Sequence, residues 1–205
     1  MKSDSKTIKF KSKRNAVLLR DGIVEKHFNS AEAAALEALA LQNLQAAGLN
    51  VPKVYALDGS VLKMQYLAGE TLPDLIERWE GCSAAADIEA IAAAIIDWFA
   101  KFYNAVATDK TTEIRGDVNG RNFLFNAGHC WGVDFEEKVY GTKEQDIGRL
   151  IAFIVTYNPP GTQIKTQLAS AVLHKAKQVL DIDEQEILRW RDSELLAMQQ
   201  RRANK

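Results

Sequence analysis

The stretch that decides the fold is RGDVNGRNFLFNAGHCWGVDFE, which covers residues 115–136. It begins with polar and turn-forming residues, continues as a short apolar run, turns at Ala127-Gly128 and returns to an acidic end. Two apolar runs on either side of a two-residue turn are typical of a β-hairpin, so we expect strands at residues 123–126 and 129–133. The stretch therefore predicts a hairpin with polar residues at its open end.

The register of this hairpin predicts a metal site. A two-residue turn at residues 127 and 128 pairs Asn122 with Val133, so Asp134 lies one residue beyond the pair. An amide oxygen beside a carboxylate suits Mg²⁺, which takes a few protein oxygens together with substrate phosphates. Asp117, five residues before Asn122, is placed to act as a base for an attacking hydroxyl group or to orient that group.

Other interpretations of the same residues are weaker. A calcium-binding loop needs an oxygen ligand where Arg121 stands and a glycine where Asn122 stands, so its pattern is not met. The Arg-Gly-Asp adhesion tripeptide at residues 115–117 is a match at the level of chance. Taken one motif at a time, the polar residues also fit ordinary loops and an acidic strand end. Their order along the chain favours the catalytic interpretation.

The first third of the sequence predicts a small antiparallel sheet with one helix. Asp21-Gly22 and Asp58-Gly59 are two-residue turn signals, each between two runs of β-favouring residues. Between these hairpins, an Ala- and Leu-rich run at residues 31–47 ends at Gly48, where a C-terminal helix cap is expected. The predicted strands cover residues 16–20, 23–28, 53–57 and 60–66.

Two charged residues of this part are predicted to lie among apolar side chains. The first hairpin pairs Lys26 with Val17 and Val24 with Leu19 on one face of the sheet. A lysine there either extends to the rim or meets an anion inside a cleft. Glu37 has alanines and leucines three, four and seven residues away on the helix. Each residue alone suits a partly exposed structural role, and together they suit a Lys-Glu pair that presents an ammonium group to a phosphate.

After Pro73 the sequence becomes helical, and the whole predicts an α+β fold. Helices are expected at about residues 84–107, 144–156, 164–180 and 184–201. Thr142 with Gln145, and Asp183 with Glu186, have the spacing of capping boxes. We expect a small β-rich N-lobe at residues 1–67, a hinge at 68–72 and a mainly helical C-lobe with the catalytic hairpin at 73–205.

Composition excludes several classes of protein. With 205 residues, 47% hydrophobic and 26% charged, the chain has the composition of a globular protein. A formal net charge of −1 makes nucleic acid an unlikely partner, although basic residues cluster at 1–14 and 201–205. The most apolar run, residues 90–96, is too short to span a membrane, and two cysteines are too few for a disulfide framework. We expect a cytoplasmic protein with no membrane partner.

In their order, these residues resemble the protein-kinase-like superfamily, in particular its small aminoglycoside-phosphotransferase and KEOPS-kinase-like (atypical Ser/Thr kinase) branches. Lys26 matches the phosphate-binding lysine of the third strand, and Glu37 matches its glutamate partner. Residues 115–122 resemble the His-Gly-Asp catalytic loop with its following Asn, and residues 134–136 resemble the metal-binding Asp-Phe-Gly or Asp-Phe-Glu motif. Residues 64–72 resemble the connector whose backbone receives adenine, and residues 145–150 the Asp-containing helix that follows. The resemblance covers nearly the whole chain.

The resemblance implies a kinase that transfers the γ-phosphoryl group of ATP, with Mg²⁺, to a hydroxyl group. The acceptor is a protein Ser/Thr, a sugar or another small molecule, and a protein partner is compatible with this assignment. Asp117 is implied as the catalytic base, and Asn122 and Asp134 as the Mg²⁺ ligands. The residues implied at the ATP site are Val17, Val24, Lys26, Glu37, Gln65 and Leu67.

Two departures from the family pattern leave alternatives open. Arg115 stands where the catalytic loop has histidine, and the phosphate-covering Gly-rich loop is missing, since Gly22 is the first glycine of the chain. Lys11 or Lys13 are candidates to replace that loop. One alternative is a kinase-shaped binding module without catalysis, a pseudokinase. The other is a KEOPS-kinase-like ATPase subunit linked to tRNA modification.

Overall fold

A computed structural model describes residues 7–10, 12, 14–81, 87–107 and 112–203 of the chain. The chain forms two compact units, one of Met1–Ala68 with Gly132–Glu137 and one of Gly69–Trp131 with Lys138–Lys205. Lys11, Lys13, Cys82 and much of both basic ends lie outside the described residues. The predicted parts at 1–67, 68–72 and 73–205 stay a prediction.

The first unit contains an antiparallel sheet and one helix. Among the described residues, five strands form the sheet in the order β1-β2-β3-β5-β4. The strands are β1 (Ile8–Phe10), β2 (Ala16–Arg20), β3 (Ile23–His27), β4 (Val54–Asp58) and β5 (Val61–Gln65), and the helix is α1 (Ala31–Ala46). The predicted order of strand, strand, helix, strand, strand is confirmed from β2 onward. Strand β1 was not predicted, because three residues among lysines give too weak a pattern.

The register that places Lys26 is the predicted one. Val17 pairs with Lys26 and Leu19 pairs with Val24 across the β2–β3 hairpin. On the other side of β3, Lys26 pairs with Leu62, which is fully buried. Because side chains alternate along a strand, Lys26 lies on the inner, apolar face of the sheet.

Helix α1 lies against this sheet and carries Glu37. The hydroxyl oxygen of Ser30 accepts a hydrogen bond from Ala33 N at 3.1 Å and begins the helix. At the other end, Gly48 N donates to Gln45 O at 2.9 Å, so the predicted end of the helix is confirmed. The buried face of α1 holds alanines, leucines and Glu37.

The second unit is mainly helical. Its helices in the described residues are α2 (Leu72–Gly81), α3 (Ile88–Val106), α4 (Lys143–Thr156), α5 (Gln163–Val179) and α6 (Glu184–Ala203). Short strands accompany them: β6 (Glu70–Thr71), β7 (Glu113–Ile114), β8 (Phe123–Asn126), β9 (His129–Gly132) and β10 (Val139–Tyr140). None of the helices described combines the length and apolar character that a membrane span requires.

The predicted elements of this unit are largely confirmed. Strands β8 and β9 are hydrogen-bonded neighbours, as the Ala127-Gly128 turn predicts. Thr142 caps α4 by accepting from Gln145 N at 3.3 Å. Helix α3 begins at Ile88, and residues 84–86 of the predicted helix lie outside the described part. Helix α2 contains Pro73, after which the sequence is expected to become helical, although no bounds were predicted for this helix. The two-residue strands were not predicted, because elements this short depend on their tertiary partners.

An aromatic cluster forms the core beside the β8 strand. The rings of Trp98 and Phe99 on α3 lie 5.4 and 5.6 Å from the ring of Phe123. Phe123 is fully buried and follows Asn122 directly in the chain. The cluster therefore fixes the end of the polar loop at residues 115–122 to the core of the unit.

Helices α4 and α6 approach each other closely at Gly148. A Cβ atom added to Gly148 would lie 2.5 Å from Ile187 O and 2.8 Å from Arg191 N, both backbone atoms of α6. Backbone atoms of a helix cannot move aside as a flexible side chain does. The absence of a side chain at residue 148 is thus a condition of this packing.

We expect Gly148→Ala to lower the free energy of unfolding. Overpacking costs about 1–3 kcal/mol, and the gain in helix propensity returns about 1 kcal/mol. The control is Gly81→Ala at the end of α2, where an added Cβ meets no atom within 4 Å. Urea unfolding of both variants checks this, and equal stability of the two would contradict it.

Candidate active site

Lys26 and Glu37 form a buried ion pair in the first unit. Lys26 Nζ lies 2.7 Å from Glu37 Oε2, and the two residues are 5% and 1% exposed. Strand β3 supplies the lysine, and the buried face of α1 supplies the glutamate. The pair predicted from the two apolar environments is therefore formed.

Two further carboxylates contact the same ammonium group. Lys26 Nζ forms an ion pair with Asp134 Oδ1, and it lies 2.9 Å from Glu136 Oε1. An ammonium group has three N–H donors, so the three carboxylates can occupy all of them. Asp134 was predicted in the site, whereas no role was assigned to Glu136.

The carboxylates keep Lys26 charged. Burial works to lower the pKa of Lys26, but the negative charges of Glu37 and Asp134 outweigh it and raise the pKa well above its usual value. The ammonium is thus a fixed positive charge inside the unit. Such a charge suits the binding of an anionic group.

The loop that carries Asp134 is held in an unusual conformation. Asp134 has a φ of 69°, in the left-handed region that few residues other than glycine adopt. The next residue, Phe135, is buried, and its N–H donates to Glu37 Oε1 at 3.4 Å. Glu37 therefore positions both Lys26 and the loop of Asp134.

The same carboxylates fit a divalent cation. Oxygen atoms of Glu37, Asp134 and Glu136 all lie within 4.8 Å of one another in the described residues. Carboxylate oxygens are the ligands that Mg²⁺ prefers, and three carboxylates face the single positive charge of Lys26, which leaves an excess of negative charge. The donor set therefore suits Mg²⁺ in its chemistry and in its negative charge.

The other predicted nucleotide-site residues of this unit occupy its sheet and the segment after it. Val17 and Val24 lie on the same face as Lys26 and are partly exposed. Gln65 ends β5, and both its N–H and its side-chain oxygen bond the backbone of Lys53. Leu67 follows β5 and is partly exposed. Their predicted contact with ATP stays a prediction.

Asp117 lies on an ordered loop of the second unit. Its side chain is exposed, and Oδ1 accepts from Asn119 N at 3.1 Å. Val118, the next residue, is fully buried. The loop thus presents the carboxylate to solvent while the neighbouring residue anchors it in the core.

Asn122 is the last residue of a short 3-10 helix on the same loop. Its Nδ2 donates to Asp117 O at 3.3 Å. Since the amide nitrogen is engaged, the amide oxygen is the atom left to act as a ligand. The structure brings Asn122 and Asp117 together. The predicted proximity of Asn122 to Asp134, which belongs to the other unit, stays a prediction.

Asp146 on α4 holds the start of this loop, a function that the sequence did not reveal. Its carboxylate accepts from Arg115 N at 2.7 Å, from Gly116 N at 2.9 Å and from the Tyr103 hydroxyl at 3.0 Å. Burial raises the pKa of Asp146, and the two backbone donors oppose that rise. An acidic residue in the first turn of a helix is explained by the helix dipole, so its sequence signal was ambiguous.

Gly116 has to be glycine at this point. Its φ is 71°, and an added Cβ would lie 2.5 Å from a methyl carbon of Val139 on β10. Both the backbone conformation and the close approach of Val139 exclude a side chain. Arg115 is buried, and its positive charge works to lower the pKa of Asp146.

Tyr157, just after α4, holds the middle of the loop. Its hydroxyl oxygen accepts from Gly120 N at 2.8 Å and donates to Asn119 Oδ1 at 3.4 Å. Burial raises the pKa of Tyr157 to about 12. No local pattern in the sequence marked this residue, because its partners lie 37 and 38 positions away.

The fold and these residues define a protein of the protein-kinase-like class. An antiparallel sheet with a Lys-Glu pair beside an aspartate is one feature of that class. A helical unit with an Asp-Asn loop anchored by a helix aspartate is the other. The family model described as RIO domain matches residues 4–152, and the chain belongs to the RIO domain family of atypical protein kinases. The predicted resemblance is thus confirmed.

Solved structures of other proteins share the fold at low sequence identity. An aminoglycoside phosphotransferase APH(2'')-Ib bound to ADP is 13% identical with a TM-score of 0.65, over 90% of this chain and 81% of that one. A gentamicin complex of APH(2'')-IIa is 13% identical with a TM-score of 0.61, over 93% and 91%. The amicoumacin kinase hAmiN is 12% identical with a TM-score of 0.57, over 90% and 78%. No curated protein matches the sequence significantly.

We expect Asp146→Ala to destabilise the second unit strongly. The substitution leaves two buried N–H groups and a hydroxyl group without their acceptor, and each such group costs about 1–3 kcal/mol. The matched control is Asp97→Ala, which removes an exposed aspartate of α3. Denaturant unfolding monitored by tryptophan fluorescence measures the difference, and a loss of less than about 1 kcal/mol would speak against the anchor.

Tyr157→Phe is expected to lower stability by an amount that depends on pH. An unfolded tyrosine ionises near pH 10, whereas Tyr157 in the fold ionises at about 12. Between these values the unfolded wild type alone becomes charged, so the wild type loses stability relative to Tyr157→Phe as pH rises. Below pH 10 the difference is constant and favours the wild type, because Gly120 N keeps its acceptor.

Urea unfolding at about pH 8 and about pH 11 tests this dependence. The control is Tyr140→Phe, at an exposed tyrosine of β10, which should leave stability at the lower pH unchanged. A difference between wild type and Tyr157→Phe that is the same at both pH values would show that Tyr157 is not protected in the fold.

Proposed function

We propose that this chain is an ATP- and Mg²⁺-dependent phosphotransferase that acts on a hydroxyl group. The observation that carries the proposal is the buried Lys26 ammonium, held by Glu37 and in contact with Asp134. A permanent positive charge beside a carboxylate is what the phosphates of a nucleotide and their metal ion require. Membership of the RIO domain family supports the same reaction class.

On the nucleotide side, Lys26 binds the phosphates and Glu37 holds Lys26 in place. Asp134 and Asn122 are the proposed Mg²⁺ ligands, each with an oxygen atom that suits the metal. With Mg²⁺ held there, these two residues would help to neutralise charge on the phosphates. ADP in the APH(2'')-Ib structure and AMP-PNP with Ca²⁺ in the hAmiN structure support a nucleotide in this fold.

The remaining nucleotide contacts come from apolar and backbone groups. Val17 and Val24, on the Lys26 face of the sheet, are proposed to pack on the adenine ring. The Gln65 carbonyl and the Leu67 backbone are proposed to bind its polar edge, since the Gln65 N–H already donates to Lys53 O. These groups orient the nucleotide and take no part in the transfer.

On the acceptor side, Asp117 is the proposed base. The acceptor oxygen forms a bond to the γ-phosphorus, and the bond from that phosphorus to the bridging oxygen of ADP breaks. The acceptor's proton passes to the Asp117 carboxylate, which is exposed and therefore accessible to a substrate. The acceptor belongs to the alcohols, as a protein Ser/Thr, a sugar or another small molecule.

We expect Asp117→Asn to separate binding from transfer. The variant should bind ATP within about threefold of wild type and form ADP about 10²–10⁴-fold more slowly, since a positioned base contributes about that much. Isothermal titration measures the binding, and ADP release with water as acceptor measures the transfer. Asp97→Asn is the matched control, with both values unchanged.

We expect Asp134→Asn and Lys26→Met to act on binding instead. Asp134→Asn should abolish the enhancement of ATP binding by Mg²⁺, and Lys26→Met should weaken binding at any Mg²⁺ concentration. Lack of ATP binding to the wild type at about 1 mM, a free energy of about −4.1 kcal/mol, would refute the proposal. Mg²⁺-dependent binding without ADP formation or transfer to any alcohol would identify a binding module instead.

A further inference from the structure

Three basic or amide side chains of its own unit lie around the Glu136 carboxylate. The Asn15 side-chain amide donates to Glu136 Oε1, and Lys26 Nζ lies 2.9 Å from the same oxygen. The Arg14 guanidinium lies 3.8 Å from Glu136 Oε2 and 2.9 Å from Glu137 Oε1. Donors from the segment just before β2 and from β3 thus meet at one anionic group.

Two of the three donors, Asn15 and Lys26, are buried, and the third, Arg14, is exposed. Asn15 is 8% and Lys26 is 5% exposed, while the Arg14 side chain is 71% exposed. A buried amide or ammonium group has to be hydrogen-bonded, or its desolvation destabilises the fold. Asn15 and Lys26 therefore need an anionic or acceptor group at this position, whether it is Glu136 or another.

A phosphate group meets that need as well as a carboxylate does. Ammonium, guanidinium and amide N–H groups are all donors to phosphate oxygens, and a charged acceptor strengthens each bond. The sequence from residue 1 to residue 21 contains no glycine, so a Gly-rich loop cannot surround phosphates with backbone N–H groups. Arg14 and Asn15 occupy the segment between β1 and β2, and their side chains supply donors instead.

We propose that Arg14, Asn15 and Lys26 form a site for the phosphate chain of a nucleotide, and that Glu136 fills this site from within the protein when phosphate is absent. The inference deepens the proposed function, on which it rests, by naming Arg14 and Asn15 as phosphate-binding residues and Glu136 as an internal competitor. An entering phosphate takes over the three donors, and the Glu136 carboxylate moves away from them.

The charges around Lys26 determine whether each substitution strengthens or weakens the binding of an anion. One ammonium faces the carboxylates of Glu37, Asp134 and Glu136, so an anion enters against an excess of negative charge. Removing the charge of Glu136 should therefore favour the anion. Removing a donor, Asn15 or Arg14, should disfavour it.

A purely structural bridge would behave differently. If Asn15 and Glu136 only fastened the loop after Asp134, loss of either partner would loosen the same loop. Both variants would then change anion binding in the same direction. Opposite effects on anion binding from the loss of Asn15 and the loss of Glu136 would thus indicate competition.

The test is isothermal titration of the full chain with sodium tripolyphosphate, with and without Mg²⁺, and with adenosine as a probe that lacks phosphate. Without Mg²⁺, we expect Asn15→Ala and Arg14→Ala to weaken tripolyphosphate binding by about 3–10-fold, the effect of one hydrogen bond or ion pair. We expect Glu136→Gln to tighten it by about 3–10-fold. Adenosine binding should be the same in all variants.

The matched control is Arg20→Ala, at the far end of β2, where the exposed arginine pairs with Glu25. It should leave tripolyphosphate binding unchanged. Thermal unfolding of each variant separates loss of the site from loss of the fold. Because Arg14 is exposed, Arg14→Ala removes one donor without disturbing the buried part of the fold.

Three results would overturn the inference. The first is a wild type that does not bind tripolyphosphate at about 10 mM, a free energy of about −2.7 kcal/mol. The second is binding weakened in both Asn15→Ala and Glu136→Gln, and the third is donor variants that bind as the wild type does. Tripolyphosphate binding requires neither adenine nor phosphoryl transfer. A chain that neither forms ADP nor phosphorylates any alcohol, but whose variants change tripolyphosphate binding in the predicted directions, would therefore support this site and refute the proposed function alone.

Discussion

The burial of the Lys26 ammonium is the constraint on which the first unit depends. A charge in the interior of a protein is costly unless carboxylates compensate it, and three of them do so here. These partners come from α1 and from the loop at residues 134–136, which is distant in the sequence. One charge thus ties the sheet, the helix and the loop into one arrangement, and it keeps a positive group in place for an anion.

In the second unit, a buried negative charge likewise holds a loop in place. Asp146 is fully buried, and backbone N–H groups of residues 115 and 116 compensate it. The result is a loop whose start is held by α4, whose middle is held by Tyr157 and whose end is held by the core at Phe123. A rigid loop can present the Asp117 carboxylate to solvent at a defined position, which is a general condition for catalysis by positioning.

Much of the fold and of the candidate site could be predicted from the local pattern of the sequence. Two-residue turns fixed the β2–β3 register, and with it the position of Lys26 on the inner face, because side chains alternate along a strand. The apolar surroundings of Glu37 on one helix face pointed to the pair. The sites proposed at Asp117, Asn122 and Asp134 rest on their order along the chain, which resembles a family whose membership is now confirmed.

The sequence by itself determined the turns, the helix ends, the inward Lys26 and the family, since these depend on residues close together in the chain or on their order. Only the tertiary structure decided which distant groups compensate the buried charges. Asn15 and Glu136 are 121 residues apart, and Tyr157 and Gly120 are 37 apart. No local periodicity encodes such pairs, because each forms only when separate elements pack and leave a polar atom that needs a partner.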